Sequence, residues 1–107
     1  TCQKNTGSAF SMNVAMPEDR VTISGDTLKT YEEQNDAGGL PFYRSFCSNC
    51  GSPISGRGPA YPGILFLKAG TFDDPSWIKP TAHMWCAEKQ PWVTIDAGVP
   101  QFEGAPE

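Results

Sequence analysis

The centre of the chain reads FYRSFCSNCGSP over residues 42–53. Three of its first five residues are aromatic, and aromatic side chains favour extended chain, so a strand is expected over residues 42–46. Cys47 and Cys50 follow with two residues between them, and Gly51 and Pro53 are typical of a tight turn. The stretch therefore predicts a strand that leads into a turn carrying two cysteine side chains.

Short runs of β-branched and aromatic residues recur on both sides of this stretch. Further strands are expected over residues 9–15, 21–24, 28–32, 64–69 and 83–87. Ser24, Gly25 and Asp26 would form the turn of a hairpin between the strands at 21–24 and 28–32. The 11 glycines and 10 prolines of the 107-residue chain supply many more turns. The predicted fold class is all-β, built from antiparallel sheets.

The length of 107 residues suits one domain, and a hydrophobic content of 38% allows a modest core. We expect that domain over residues 1–97, followed by a tail over residues 98–107 that is rich in proline, glycine and glutamate. The chain begins with Thr1 rather than Met, so an N-terminal segment is expected to have been processed or removed.

Charge and hydropathy limit the function classes. The net charge is −4 and the basic residues form no cluster, so neither nucleic acid nor an anionic membrane is an expected partner. No apolar stretch is long enough to cross a bilayer, and the first residues are polar rather than signal-like. We expect a soluble, cytoplasmic protein.

The spacing of Cys47 and Cys50 suits zinc, because two residues between cysteines let both sulfurs turn to one side of a loop. The alternatives are a redox-active dithiol and two ordinary buried thiols. A thioredoxin-like dithiol stands at the start of a helix in a βαβ unit, which this sequence lacks, so zinc is favoured. The pair supplies only half of a tetrahedral site.

Other cysteines could complete such a site. Cys2, Cys47, Cys50 and Cys86 are the four cysteines of the chain and could form one four-thiolate centre. Against this, Cys86 falls in an aromatic segment where a free cysteine is commonly a small buried hydrophobe. His83, the only histidine, is more often a strand residue with a satisfied hydrogen bond than a ligand or base.

Five motifs follow one another in a specific order. They read CQKxTGSAF over 2–10, FCxxCGSP over 46–53, KAGTFDDP over 68–75, HxW over 83–85 and PW over 91–92. In this order they resemble the glutathione-dependent formaldehyde-activating enzymes and the related centromere protein V domain. The resemblance covers residues 1–93, and its specificity comes from the order because each motif alone is weak.

The resemblance implies a fold called a β-tent with two zinc sites built from seven cysteines. One site is structural, and there Cys47 and Cys50 match a Cys-x-x-Cys that is joined by a Cys-x-Cys from an N-terminal strand. The other is reactive, and Cys2 matches the last cysteine of its Cys-x-Cys-x-x-Cys motif. Both upstream elements would precede Thr1, so a chain starting there would be inactive. Cys86 has no ligand role in this pattern.

The activity implied is that of a carbon–sulfur lyase that joins glutathione and formaldehyde to form S-(hydroxymethyl)glutathione. The partners would be glutathione or another small thiol and a small electrophile, and a homo-oligomer is compatible with the pattern. The basic side chains that could attract an anionic thiol, each also suited to an ordinary solvated role, are Lys4, Arg44, Arg57 and Lys68. The alternative functions are a non-catalytic zinc module that contacts other proteins and an inactive truncated relative.

Overall fold

The computed structural model of the chain describes residues 2–34 and 39–104, and at Cys2 the backbone alone. These residues fall into two compact units, which are described separately. One unit is Asn13–Pro75, and the other combines Thr1–Met12 with Ser76–Glu107. No helix in the described ranges is long and apolar enough to cross a membrane.

The unit Asn13–Pro75 holds one five-stranded sheet, as far as its described residues show. Every neighbouring pair of strands is antiparallel, and the strands lie in the order β1-β5-β4-β3-β2. The strands are β1 Asn13–Pro17, β2 Leu28–Glu33, β3 Phe42–Cys47, β4 Pro53–Arg57 and β5 Ile64–Lys68. The prediction of an antiparallel β protein with little helix is confirmed.

Phe42, the first residue of β3, is one of the buried apolar residues of this sheet. Its ring covers two glycines of the neighbouring segment, because a Cβ atom built on Gly56 would lie 2.6 Å from Phe42 Cε2 and one on Gly58 would lie 2.9 Å from Cδ1. Leu65 and Ala69 are also buried, on and just after β5. Glycine at these two positions therefore leaves room for the Phe42 ring against the backbone of β4 and the residues just after it.

An ion pair joins β2 to β3. Arg44 Nε lies 2.7 Å from Glu33 Oε2, and both side chains are largely shielded from solvent, at 13% and 17% exposure. The Arg44 guanidinium also lies 4.9 Å from the centroid of the Phe42 ring. Nearby, the hydroxyls of Thr30 and Ser45 are 3.0 Å apart across the same two strands. Side-chain pairs thus fasten β2 at the edge of the sheet.

The second unit begins with a short helix, α1 Cys2–Thr6. Gln3 of this helix donates to the carbonyl of Glu88 (2.9 Å) and accepts from the side chain of Gln90 (2.6 Å). A 3₁₀ turn covers Cys86–Glu88, and Trp85 before it adopts a left-handed backbone with φ 57°. Sequence-distant parts of the chain are therefore tied together by the two glutamines.

The last described residues of the chain are hydrogen-bonded rather than free. His83 forms a parallel bridge with Gln101, and the amide of Phe102 donates to the carbonyl of His83 at 2.8 Å. The amide of Trp85 donates to the carbonyl of Gly104 at 3.0 Å. The segment expected to be a tail thus pairs with the motif around His83 over residues 100–104.

The individual strand predictions had mixed outcomes. Those at residues 28–32, 42–46 and 64–69 correspond to β2, β3 and β5, with the last strand ending at Lys68. The strand expected over 9–15 begins only at Asn13. The strand at 21–24 and its hairpin are wrong, because β2 pairs with β3. The strand at 83–87 is also wrong, being one bridge followed by a 3₁₀ turn.

Candidate functional site

The Cys-x-x-Cys segment forms a closed turn between β3 and β4. The amide of Cys47 donates to the carbonyl of Ser52 at 2.9 Å, and the amide of Gly51 donates back to the carbonyl of Cys47 at 2.7 Å. Gly51 has φ +80°, a left-handed conformation that glycine adopts without steric cost. The sequence therefore places a glycine where this turn needs one.

The sulfur of Cys47 is surrounded by hydrogen-bond partners. Its thiol donates to the hydroxyl of Thr27, with Sγ 3.6 Å from Oγ1. The hydroxyl of Thr27, the backbone N–H groups of Cys50 and Asn49 and the thiol of Cys50 together lower the pKa of Cys47 to about 7. Hydrogen bonds to the charged form have this effect because they stabilise the thiolate over the thiol. The turn is thus preorganised to hold a sulfur anion.

Cys50 lies on the exposed side of the same turn, 3.2 Å from the hydroxyl of Ser52. Cys47 and Cys50 are both free thiols and hydrogen-bond partners of each other. Two adjacent thiols with backbone amides directed at one sulfur suit two positions of a tetrahedral zinc site. Among the residues whose side chains are described, no group of three histidine, cysteine, aspartate or glutamate residues could hold a metal ion.

A comparison with protein families identifies the family of the chain that contains this turn. The family model of the glutathione-dependent formaldehyde-activating enzymes matches residues 1–88 of the chain. The chain belongs to this family. A comparison with curated proteins finds no match. The match covers most of the chain and confirms the resemblance drawn from the ordered motifs, four of which lie within it.

The formaldehyde-activating family match includes Cys2, Cys47 and Cys50. Cys2 is the first residue of α1, and Gly7, just after the helix, has φ 66°. The direction of the Cys2 sulfur lies outside the described side chains, so its role as a ligand stays a prediction. The metal-ligating roles of Cys47 and Cys50 likewise stay predictions, for which the turn provides suitable donors.

Cys86 has a local partner of its own. Its half-buried thiol donates to the carbonyl of His83, with the sulfur 3.6 Å from the oxygen. The backbone of His83 is occupied by the bridge to Gln101. These contacts fit the interpretation of Cys86 as a small packed residue in the formaldehyde-activating family pattern, and the four-thiolate alternative stays untested.

The basic side chains considered for thiol capture differ in their surroundings. Arg44 is held by Glu33, while the guanidinium of Arg57 lies 5.1 Å from the centroid of the Tyr43 ring. The contribution of Thr27 to the cysteine turn escaped the sequence analysis. It follows from the register that pairs Leu28 with Cys47 and so places Thr27 beside the turn. That register depends on pairing between distant segments, which a local sequence pattern does not predict.

Proposed function

We propose that this protein is a zinc-dependent carbon–sulfur lyase that adds glutathione to formaldehyde to give S-(hydroxymethyl)glutathione. The single observation that supports this most is the family match over residues 1–88, which includes the cysteine assigned to the reactive motif. The net reaction adds a thiol S–H across the carbonyl of formaldehyde. It forms one carbon–sulfur bond and needs neither an oxidant nor a reductant.

Two zinc sites of different character are part of this proposal. Cys47 and Cys50 would supply two ligands of a structural site, and the hydrogen bonds around Cys47 favour the thiolate that a metal requires. Cys2 would supply one ligand of the reactive site, as its place in the family motif implies. The partner cysteines of both sites belong to the family's upstream motifs. We further propose that the sheet is part of a β-tent.

The division of labour between the sites follows from their ligand number. A four-thiolate site is closed and contributes to folding, whereas three thiolates leave a fourth position open. When bound at the open site, zinc supplies positive charge that stabilises the thiolate form of an incoming thiol. Cys2 would help to hold zinc at the open site, and Cys47 and Cys50 would help to hold the structural zinc at the turn between β3 and β4.

The alternative, a non-catalytic zinc module that contacts another protein, has one observation in its favour. Such a surface would need exposed aromatic side chains, but Phe42 is buried and Tyr43 and Tyr61 are half-buried. Trp85 and Trp92 are exposed, at 49% and 72%. Large exposed aromatic side chains are common in protein interfaces. An activity measurement separates the two functions.

The test measures glutathione-dependent loss of formaldehyde above the spontaneous rate, using the natural full-length protein loaded with zinc. We expect Cys2→Ser to abolish this activity and reduce bound zinc while the circular dichroism spectrum stays unchanged, because a reactive site holds little of the core. Cys86→Ser is the matched control and should keep both activity and zinc. Activity at the wild-type level in Cys2→Ser would contradict the proposed mechanism.

A further inference from the structure

A cleft separate from the cysteine turn lies within the unit Asn13–Pro75. It has a volume of about 290 Å³, and its lining includes Glu18, Tyr43, Arg57, Tyr61, Pro59 and Pro62. Tyr43 lies on β3, four residues before Cys47, and pairs with Arg57 on β4. That separation is about 13 Å of extended chain, so the cleft and the cysteine turn lie at opposite ends of the hairpin.

The guanidinium of Arg57 lines this cleft and forms no ion pair with a carboxylate of the described chain. Its guanidinium carbon lies 5.1 Å from the centroid of the Tyr43 ring, which holds the side chain over an aromatic face. Arg44 provides an internal comparison, because it also lies over an aromatic ring but has Glu33 as its carboxylate partner. Arg57 has the same kind of ring contact but no carboxylate partner. The planar N–H donors of its guanidinium are suited to binding a carboxylate.

Glu18 gives the same cleft a negative charge. Its backbone is fixed by a hydrogen bond from its own amide to the carbonyl of Gly63 at 2.9 Å. The described residues offer its side chain no ion-pair partner, and it does not pair with Arg57 although both line the cleft. Arg57 and Glu18, both exposed, therefore give the cleft one cationic and one anionic side chain with space for a ligand.

We propose that this cleft binds the α-ammonium carboxylate group of an amino acid or a short peptide. The ligand carboxylate pairs with Arg57, the ligand ammonium pairs with Glu18, and the aliphatic part contacts the tyrosine and proline surfaces. The volume lies near the lower end of small-molecule pockets, which suits a group of this size. Glutathione carries this group at its γ-glutamyl end, and to that extent the proposal rests on the proposed function.

Binding can be measured on the full chain by nuclear magnetic resonance, with the amides of Gly58 and Gly63 as reporters. The probes are glutamate, S-methylglutathione, which lacks a free thiol, and glutarate, which lacks the ammonium group. We expect saturable shifts with glutamate, S-methylglutathione or both, and the pattern identifies the source of the group. Arg57→Ala should weaken this binding roughly tenfold or more, since it removes charge-assisted hydrogen bonds.

Glu18→Gln should weaken binding of the ammonium-bearing probes but not of glutarate. Arg20→Ala and Asp19→Asn are the matched controls, because they make the same charge changes on neighbouring residues outside the cleft lining. Equal losses in the controls, no saturable shifts, or unchanged binding in Arg57→Ala would overturn the proposal.

The probes need neither zinc nor formaldehyde, so the two proposals can fail separately. A protein that binds S-methylglutathione through Arg57 but lacks activity would refute only the proposed reaction. An active protein whose Arg57→Ala variant keeps full affinity for the probes would refute only the cleft.

Discussion

At Cys47, hydrogen-bonding groups from two parts of the chain converge on one sulfur atom. Thr27 reaches it from the segment before β2, and the amides of Asn49 and Cys50 reach it from within the turn. A sulfur in such surroundings ionises closer to neutral pH than a free cysteine because each donor stabilises the negative charge. The chemistry of this residue therefore depends on both the local turn and the pairing of β2 with β3.

In metal-free protein, the rate of Cys47 alkylation by iodoacetamide should rise with pH around a midpoint near 7, since the thiolate is the reactive form. Thr27→Val removes the largest stabilising contact, so the midpoint should move to higher pH and alkylation at pH 7 should slow. Peptide mass spectrometry of time-quenched samples measures the rate at this one residue.

The matched control for this experiment is Thr30→Val, which removes a hydroxyl paired with Ser45 rather than with a sulfur. Its Cys47 profile should equal that of the wild type. A profile in Thr27→Val that does not move would show that the hydroxyl of Thr27 does not act on the Cys47 thiol.

At the scale of the elements, β4 lies in the middle of the sheet although it begins with Pro53 and contains Gly56. Proline can occupy the first position of a strand, and this glycine is required by the ring of Phe42 that lies over it. Packing against a neighbouring strand thus overrides the weak strand preference of both residues.

The same physics separates what could be predicted from what could not. The aromatic run at Phe42 and the apolar run at Ile64 identify their strands locally. Val21 and Ile23 also alternate, yet no strand of the sheet pairs with them, and Ile23 is 40% exposed. The cysteine spacing and the glycine after it could be predicted, whereas the roles of Thr27, Glu18 and Arg57 depend on contacts between distant segments.

Gly56→Ala should destabilise the protein by about 1–3 kcal/mol, because the new methyl group would overlap the Phe42 ring and force it to shift. Thermal unfolding followed by circular dichroism measures the loss. Gly70→Ala is the control, since a Cβ atom there meets nothing within 4 Å and the φ of Gly70 is not positive. Equal destabilisation of the two variants would argue against the packing of Phe42 over β4.

Glu33→Gln should lower the free energy of unfolding by about 1 kcal/mol, because it removes the charge that pairs with the shielded guanidinium of Arg44. Glu32→Gln makes the same change at the adjacent, exposed position of β2 and should have little effect. Urea denaturation at low and high salt compares them. Identical curves for the two variants would mean that the ion pair does not contribute to stability.

At the scale of the whole molecule, burial is distributed unevenly between the two units. The buried apolar side chains among the described residues are Phe42, Leu65 and Ala69, and all three belong to the unit Asn13–Pro75. The tryptophans Trp77, Trp85 and Trp92 belong to the other unit and are exposed. Local stability follows buried apolar contact, so the units should differ in how readily they open.

Hydrogen exchange should therefore be slowest at the amides of β3, β4 and β5 and faster at the hydrogen-bonded amides of His83, residues 85–88 and Phe102. Exchange followed by mass spectrometry at neutral pH resolves these segments. Both sets of amides are hydrogen-bonded, so a difference reports opening rather than the absence of a bond. Uniform protection across both sets would indicate that the chain opens only as a whole.

The position of β1 in the sheet affects how the chain folds as it leaves the ribosome. Strand β2 pairs with β3, β3 with β4 and β4 with β5, so these four strands can join in sequence order during synthesis. Strand β1 can pair only after β5 has been synthesised, because Asn13 pairs with Lys68. Closing the long loop between these two strands costs conformational entropy before any hydrogen bond forms. Strand β1 is thus made first and incorporated last, and a nascent chain that stalls before β5 carries it unpaired.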